Sequence, residues 1–366
     1  MPDFTDSDSA FMQRAVELAR NGLFSAHPNP MVGCVLVKQG KIVAEGWHEV
    51  AGEAHAEIRA LAAAGDNARG ATAYVTLEPC AHHGRTPPCT AALIAAGIRE
   101  VVVACGDPNP RVDGKGMQAL RDAGIAVRTG VLREQVEQLL AGFFCRMLRG
   151  RPRVRIKIAC SLDGAIAMAD GQSQWITGAE ARADGQRLRA SSGAVMTGIG
   201  TVLADDPSLT VRDASLIPHG RQPLRVIVDS ELRMPLAAEM LVLPGTTLVY
   251  CCDESRAGAL RAAGAEVARV SGKSGLVDLV AVLADLGKRD VNDLLVEAGP
   301  SLAGQLLLQG LVDELVIYQA PHIMGSETMR MFNTPGWSQL MQRQRLQIVD
   351  RTEFGDDLRI TARPVS

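Results

Sequence analysis

His55-Ala56-Glu57, and further on Glu78-Pro79-Cys80 followed by Cys89, bring an imidazole, a carboxyl and two thiols into one stretch of a 366-residue chain. One nitrogen and two sulfurs make a three-ligand set for zinc and leave the fourth tetrahedral position open. Structural zinc normally closes with four protein ligands. An open position holds a water, and the metal lowers that water's pKa to about 7. The hydroxide so formed can attack an electron-poor ring carbon at neutral pH. If a ring amine is the leaving group, something must carry the proton from the water to that amine. Glu57 is the candidate, because it sits beside a ligand position without being needed as a ligand. His55, Cys80 and Cys89 are therefore the expected metal ligands, and Glu57 the expected proton carrier.

These side chains need elements that aim them at one point. Glu53 to Ala64 is rich in Ala, Leu and Glu and reads as a helix closed by Gly65, with His55 in its first turn. Thr86 can cap a second helix, Pro87 or Pro88 suits its first turn, and Cys89 falls in that turn. Both helix starts then point at the metal, where their dipoles favour thiolates and a developing anion. Residues i and i+2 share no helix face, so His55 and Glu57 serve one site only if it lies off the helix end. The spacing follows the zinc-deaminase pattern H-x-E…P-C-x-x-C with one departure. Cys80 and Cys89 are nine positions apart where that pattern has three. His82 and His83 compete as ligands, and crowding beside Cys80 favours substrate contacts for them.

The surrounding sequence alternates strands and helices, the pattern of an α/β domain. Helix candidates are Ser9–Asn21, Thr90–Ala96, Gln118–Ala123 and Glu134–Leu148. Strand candidates are Val32–Val37, Lys41–Gly46, Ala73–Leu77, Val101–Cys105 and a segment at Val127. The punctuated basic stretch Arg149–Arg153 marks a boundary, giving domains 1–148 and 149–366. Beyond it, Val154, Ile156 and Ile158 alternate with Arg153, Arg155 and Lys157, which predicts a half-buried strand with one polar face. Further strands are expected at Val154–Ala159, Ala194–Thr197, Leu224–Val228, Thr247–Tyr250, Asp293–Glu297 and Glu314–Tyr318. Helices are expected at Ala179–Ala190, Ala257–Ala262, Leu276–Leu286 and Ser301–Gln309. The result is a second α/β domain with mostly parallel strands.

Hydrophobic residues at 47% give ample core material, and a net charge of -3 argues against a generally basic nucleic-acid binder. Aromatics at 4% are too few for base-stacking platforms along the chain. The opening residues are polar and acidic, without a secretory pattern, and no apolar run approaches the ~18 residues of a membrane span. The expectation is a cytoplasmic protein, with no membrane and no nucleic acid as partner. Its eight cysteines are then not a disulfide framework. No G-x-G-x-x-G follows a strand. A deaminase of nucleic-acid bases and a non-catalytic zinc module are the competing readings.

Pro28–Gly33, His55–Glu57, Glu78–Cys89 and Gly106–Pro110 resemble the deaminase domain of the RibD family, the bifunctional enzymes of riboflavin biosynthesis. The nine-residue cysteine spacing is the one that family shows. The resemblance continues through Ser161–Gly164, Ser173–Thr177, Leu203–Arg212 and Glu297–Pro300, and so covers nearly the whole chain. It implies a cytidine-deaminase-like domain followed by a dihydrofolate-reductase-like domain. It implies deamination of 2,5-diamino-6-(5-phosphoribosylamino)pyrimidin-4(3H)-one, then reduction of the ribosyl group of the aminouracil product to ribityl. Zn2+ and NADPH would be the cofactors, phosphorylated pyrimidines the substrates, and a homo-oligomer the assembly.

Carried over residue by residue, the resemblance gives zinc to His55, Cys80 and Cys89. The pyrimidine or its phosphoribosyl tail falls to Asn29, His82, Asp107 and Asn109. NADPH falls near Ala159, Trp175, Thr201, Asp205, Ser230 and the run Gly299, Pro300, Ser301, Leu302, Ala303, Gly304 and Gln305. The reductase substrate falls near Ser173, Arg189, Leu209, Arg212 and Glu297. Residue chemistry agrees in places. Gly299-Pro300-Ser301 opens a helix whose free N–H groups can hold a phosphate. Arg189 and Arg212 can grip a phosphate monoester by paired donors. Lys157 and Asp205 can relay a proton to the ring oxygen as the sugar opens.

Overall fold

Gln39 and Gly40 both take positive φ, 53° and 75°, and so close the tight hairpin between the strands Gly33–Lys38 (β1) and Lys41–Trp47 (β2). The computed structural model describes residues 4–81, 88–272 and 275–365. The chain divides into two units, Met1–Gly150 and Arg151–Ser366. The division falls two residues beyond the expected boundary. The last helix of the first unit continues to Arg149, and Gly150, with φ 67°, ends it.

In the first unit β1 and β2 are joined by Thr72–Leu77 (β3), Glu100–Cys105 (β4) and Ala126–Thr129 (β5) in a sheet ordered β2-β1-β3-β4-β5. β1 runs antiparallel to both β2 and β3; β3, β4 and β5 are parallel. The helices are Asp6–Arg20 (α1), Ala56–Ala64 (α2), Cys89–Ala95 (α3), Lys115–Asp122 (α4), Arg133–Leu139 (α5) and Ala141–Arg149 (α6). Side chains on β3 alternate between two cores. Ala73 and Val75 pack with α2, α3 and α4; Tyr74 and Leu77 pack with α1, α5 and α6. The sheet is therefore the middle layer of three, and its central strands are buried along nearly their whole length because both faces are covered. The expected single helix Glu134–Leu148 is two helices broken at Leu140. Val136, Leu140 and Phe143 keep i, i+4, i+7 spacing across the break, so the apolar pattern passes straight through it.

The second unit is built on the order β11-β10-β9-β8-β12-β6-β13-β16-β15. Its strands are Arg153–Ser161 (β6), Ala165–Met168 (β7), Ala194–Gly198 (β8), Leu224–Val228 (β9), Thr247–Cys251 (β10), Glu266–Arg269 (β11), Asp293–Val296 (β12), Glu314–Ala320 (β13), Thr328–Arg330 (β14), Arg345–Phe354 (β15) and Asp357–Val365 (β16). Strands β11 to β13 of this order pair in parallel, and only β16 and β15 pair antiparallel. Helices Ala179–Ala190 (α7), Ile199–Asp205 (α8), Glu239–Val242 (α9), Ala257–Ala262 (α10), Leu279–Lys288 (α11) and Pro300–Leu308 (α12) complete it. α11 starts three residues later than expected, because Asp278 caps it by accepting from the N–H of Val280 and Ala281.

The expected alternation on β6 is present, with one face more covered than expected. Val154, Ile156, Ile158 and Cys160 are buried, and on the polar face Arg153 and Lys157 are half-buried while Arg155 is fully buried. Arg155 is buried and its guanidinium donates to Ser192 Oγ. Burial likewise pushes the Lys157 ammonium down, with Glu297 opposing the shift. Polar alternation here marks a face that is covered only in part. Among the described residues, no helix is long and apolar enough to cross a membrane.

Candidate active sites

α2 begins immediately after His55, which is its N-cap and not part of its first turn. α3 begins at Cys89 with Pro88 as N-cap; Thr86, the expected cap, lies outside the described residues, as do His82 and His83. Cys80 leaves the carboxyl end of β3 through Glu78 and Pro79. The three ligand atoms lie within 4.8 Å of one another. His55 Nδ1 is 3.2 Å from Cys89 Sγ and 3.7 Å from Cys80 Sγ. A tetrahedral zinc with the usual bond lengths separates nitrogen from sulfur by about 3.6 Å, so the donor set fits that metal. The Cys89 N–H, at the start of α3, donates to Cys80 Sγ. Contacts from Cys89 and His55 outweigh burial and push the Cys80 thiol down, toward thiolate.

Glu57 is 3% exposed and lies close enough to Cys89 and His55 for each to act on its charge. Burial pushes its carboxyl up, and the His55 charge opposes that. The i, i+2 problem does not arise: His55 is the N-cap, and the His55, Cys80 and Cys89 side chains gather off the start of α2. Sequence reasoning missed His48. It is buried, its ring stands edge-on to His55 with centroids 5.3 Å apart, and its Nδ1–H donates to the Ala54 carbonyl. Its Nε2 is thereby the acceptor for the Asn29 amide, 3.0 Å away. Only a surplus histidine before the H-A-E motif could have flagged it. Asp107 is pushed up to about 6, chiefly by burial, and its carboxylate accepts from the Asn109 N–H at 2.8 Å.

In the second unit, Arg189 on α7 meets Glu297 at the end of β12 through two parallel bonds of 2.6 and 3.0 Å. A third Arg189 donor reaches the Thr210 carbonyl, next to Leu209. Burial would raise Glu297, but the Arg189 charge and its hydrogen bonds, with Lys157 and Arg212, hold it at about 2. Lys157, Arg189, Arg212 and Glu297 thus act on one another. The Gly299 N–H donates to Thr201 Oγ1 at 3.3 Å, tying the start of α12 to α8. The rest of the expected cofactor run divides by face. Ala303 and Gly304 are buried, and Ala303 packs in the core, leaving the first turn of α12 open to a ligand. Trp175 is 66% exposed with the Arg182 guanidinium 4.6 Å from its ring. Ser173 lies on the same segment, before α7, and Ala159 lies on β6 opposite Tyr318. Ser230 Oγ accepts from the Val277 N–H. Asp205 ends α8 exposed, and among the described residues no hydrogen bond or ion pair joins it to Lys157, so the expected relay between these two is not assembled.

Residues 5–105 match the family described as the cytidine and deoxycytidylate deaminase zinc-binding region. Residues 152–360 match the RibD C-terminal domain. The riboflavin biosynthesis protein RibD of Escherichia coli (strain K12) is 46% identical over 364 residues, spanning 96% of this chain and 98% of that protein. The chain belongs to the RibD family. Acinetobacter baumannii RibD, form 1, superposes with a TM-score of 0.92 at 44% identity, covering 98% of this chain and 99% of that one. The deaminase/reductase of Thermotoga maritima gives 0.86 at 34% identity over the same shares. As a RibD enzyme, the chain joins a zinc-dependent deaminase and an NADPH-dependent reductase of riboflavin biosynthesis. Its first unit is cytidine-deaminase-like and its second dihydrofolate-reductase-like.

Proposed function

We propose that the first unit deaminates 2,5-diamino-6-(5-phosphoribosylamino)pyrimidin-4(3H)-one and that the second reduces the ribosyl group of 5-amino-6-(5-phosphoribosylamino)uracil. The convergence of His55, Cys80 and Cys89 around a buried Glu57 carries this reading. His55, Cys80 and Cys89 hold the metal. When bound, zinc lets a water ionise near neutral pH. Glu57 takes that proton and returns it to the departing amine, a role that suits a carboxyl kept from water and raised by burial. Asn29, oriented by His48, and the Asp107–Asn109 segment hold the pyrimidine.

NADPH, when bound, supplies the hydride for the second reaction. The free N–H groups in the first turn of α12 receive a cofactor phosphate. Arg189 is committed to Glu297, so Arg212 is left to meet the substrate phosphate. Half-buried Lys157 donates the proton to the opening ring oxygen, and Glu297 sets its charge. The enzyme works in the cytoplasm, a place that suits its biosynthetic relatives, and assembly as a homo-oligomer fits β15, an edge strand whose Leu346, Ile348 and Val349 are all exposed.

Glu57→Gln tests the deaminase. Zinc content stays at the wild-type value while ammonia release falls at least about a hundredfold. Undiminished release removes Glu57 from the reaction.

A further inference from the structure

One buried carboxylate in the first unit has only backbone partners. Glu78 is 4% exposed and has no cationic partner among the described residues. Its Oε1 accepts from the N–H of Gly116 at 2.9 Å and of Met117 at 3.1 Å. Its Oε2 accepts from the N–H of Gly114 at 3.1 Å and of Asp107 at 3.3 Å. Gly114 is the N-cap of α4, so three of the donors that a helix start leaves unpaired end on this one group. The contact continues through the backbone. A Cβ at Gly116 would stand 2.0 Å from the Pro79 carbonyl and 3.1 Å from Glu78 Oε1. The start of α4 therefore lies directly on the residues that lead into Cys80.

Between those anchors runs the segment from Asp107 to Asp113. It is tied at both ends to Glu78, and Glu78 is separated from the ligand Cys80 by a single proline. Only a carboxylate offers acceptors on both oxygens. A glutamine would turn an NH2 group toward one pair of N–H donors.

We propose that Glu78 is a positioning residue for the deamination: its carboxylate fixes the Asp107–Asn109 segment relative to Cys80, and so sets where the pyrimidine sits against the metal ligands. This rests on the reading that Asp107 and Asn109 hold the pyrimidine. Glu78 itself touches neither metal nor substrate.

The test is Glu78→Gln in the full-length, zinc-loaded chain, with three readouts. Metal analysis gives wild-type zinc. Amide hydrogen exchange speeds up at one of the two donor pairs, Asp107 with Gly114 or Gly116 with Met117. KM for the diaminopyrimidine rises about tenfold while kcat changes less, the usual scale for losing a group that orients a ligand. NADPH oxidation on pre-deaminated substrate stays at wild type and reports an intact chain. Gly116→Ala provides a second route, because its Cβ pushes α4, with the Gly116 and Met117 donors, off Pro79 and Glu78 while Glu78 keeps its carboxylate; the same KM signature is expected. Faster exchange with unchanged KM means that the freed segment does not contact the pyrimidine, and the underlying reading falls with the proposal. Unchanged exchange and unchanged KM mean that the carboxylate does not hold the segment. Loss of zinc or of the reductase in both variants makes Glu78 a residue of general stability and overturns the proposal.

Discussion

Glu297→Gln probes the charge cluster of the reductase unit, and its size can be worked out in two ways. Folding takes the Glu297 carboxyl from an ordinary 4.5 to about 2. That difference is about 2.5 pK units, or roughly 3 kcal/mol in favour of the folded state at neutral pH. The second route is structural. The Arg189 and Glu297 side chains are 13% and 17% exposed, so solvent screens the pair little. Removing one partner of such a pair costs about 3–5 kcal/mol, because the other charge stays buried and unmatched. The two routes agree. For a unit of this size the loss corresponds to a fall of roughly 6–12 °C in the unfolding midpoint.

The pH dependence fixes the sign. The folded pKa is depressed, so the stabilisation is fully present above about 4.5 and is lost as pH falls toward 2. At pH 3 about one pK unit of it remains, roughly 1.4 kcal/mol. The gap between wild type and Glu297→Gln should therefore narrow by about 2 kcal/mol between pH 6.5 and pH 3. Urea titration of the full chain measures it, followed by the fluorescence of Trp175 and Trp337 with Trp47 replaced by Phe to silence the first unit. A gap below about 1 kcal/mol at pH 6.5, or one that does not change with pH, refutes an ionised buried pair.

Two further outcomes are expected. Cys80→Ala should lose zinc and ammonia release while oxidising NADPH on pre-deaminated substrate within about twofold of wild type; loss of both activities would mean that the metal supports more than its own unit. Ile348→Asp, on the exposed face of β15, should shift a homo-oligomer to monomer in sedimentation velocity without lowering the unfolding midpoint, and an unchanged mass would place the contact elsewhere.

The convergence of His55, Cys80 and Cys89 was legible because its signal is local and chemically narrow. An imidazole, two thiols and a carboxyl near two helix starts have few joint uses, and each piece sits within a few residues of a helix or strand end. His48 was not legible, since its importance comes from standing against His55 and Asn29 in space. The reductase cluster was harder still. Lys157, Arg189 and Glu297 come from β6, α7 and the end of β12, and nothing along the chain says that the polar stripe of β6 faces the other two. The alternation on β6 separated an apolar face from a polar one correctly, but period 2 does not say how far the polar face is closed to water, and Arg155 is fully buried there. The hairpin β15–β16 was missed for the opposite reason. Its first strand is exposed along nearly its whole length, so burial leaves almost no alternating imprint on its residues.

What the sequence could have supplied, once strand order was known, is the edge at which chemistry collects. β2, β3 and β4 point the same way, and the segments leaving their carboxyl ends carry His55, Cys80 and Asp107 into the starts of α2, α3 and α4. Asn29 reaches that edge from the opposite direction, because it enters β1, which runs antiparallel. The second unit repeats the arrangement. β8, β9 and β12 are parallel, and beyond their carboxyl ends lie Thr201, Ser230 and the Glu297–Gly299 turn. Ligands of open α/β sheets bind outside the carboxyl ends of the strands, where helix starts present free N–H groups. Such an edge favours thiolate, carboxylate and phosphate alike. One rule of topology thus accounts for two sites with unrelated chemistry, and it explains why a buried Glu78 finds four backbone donors at the place where the metal ligands converge.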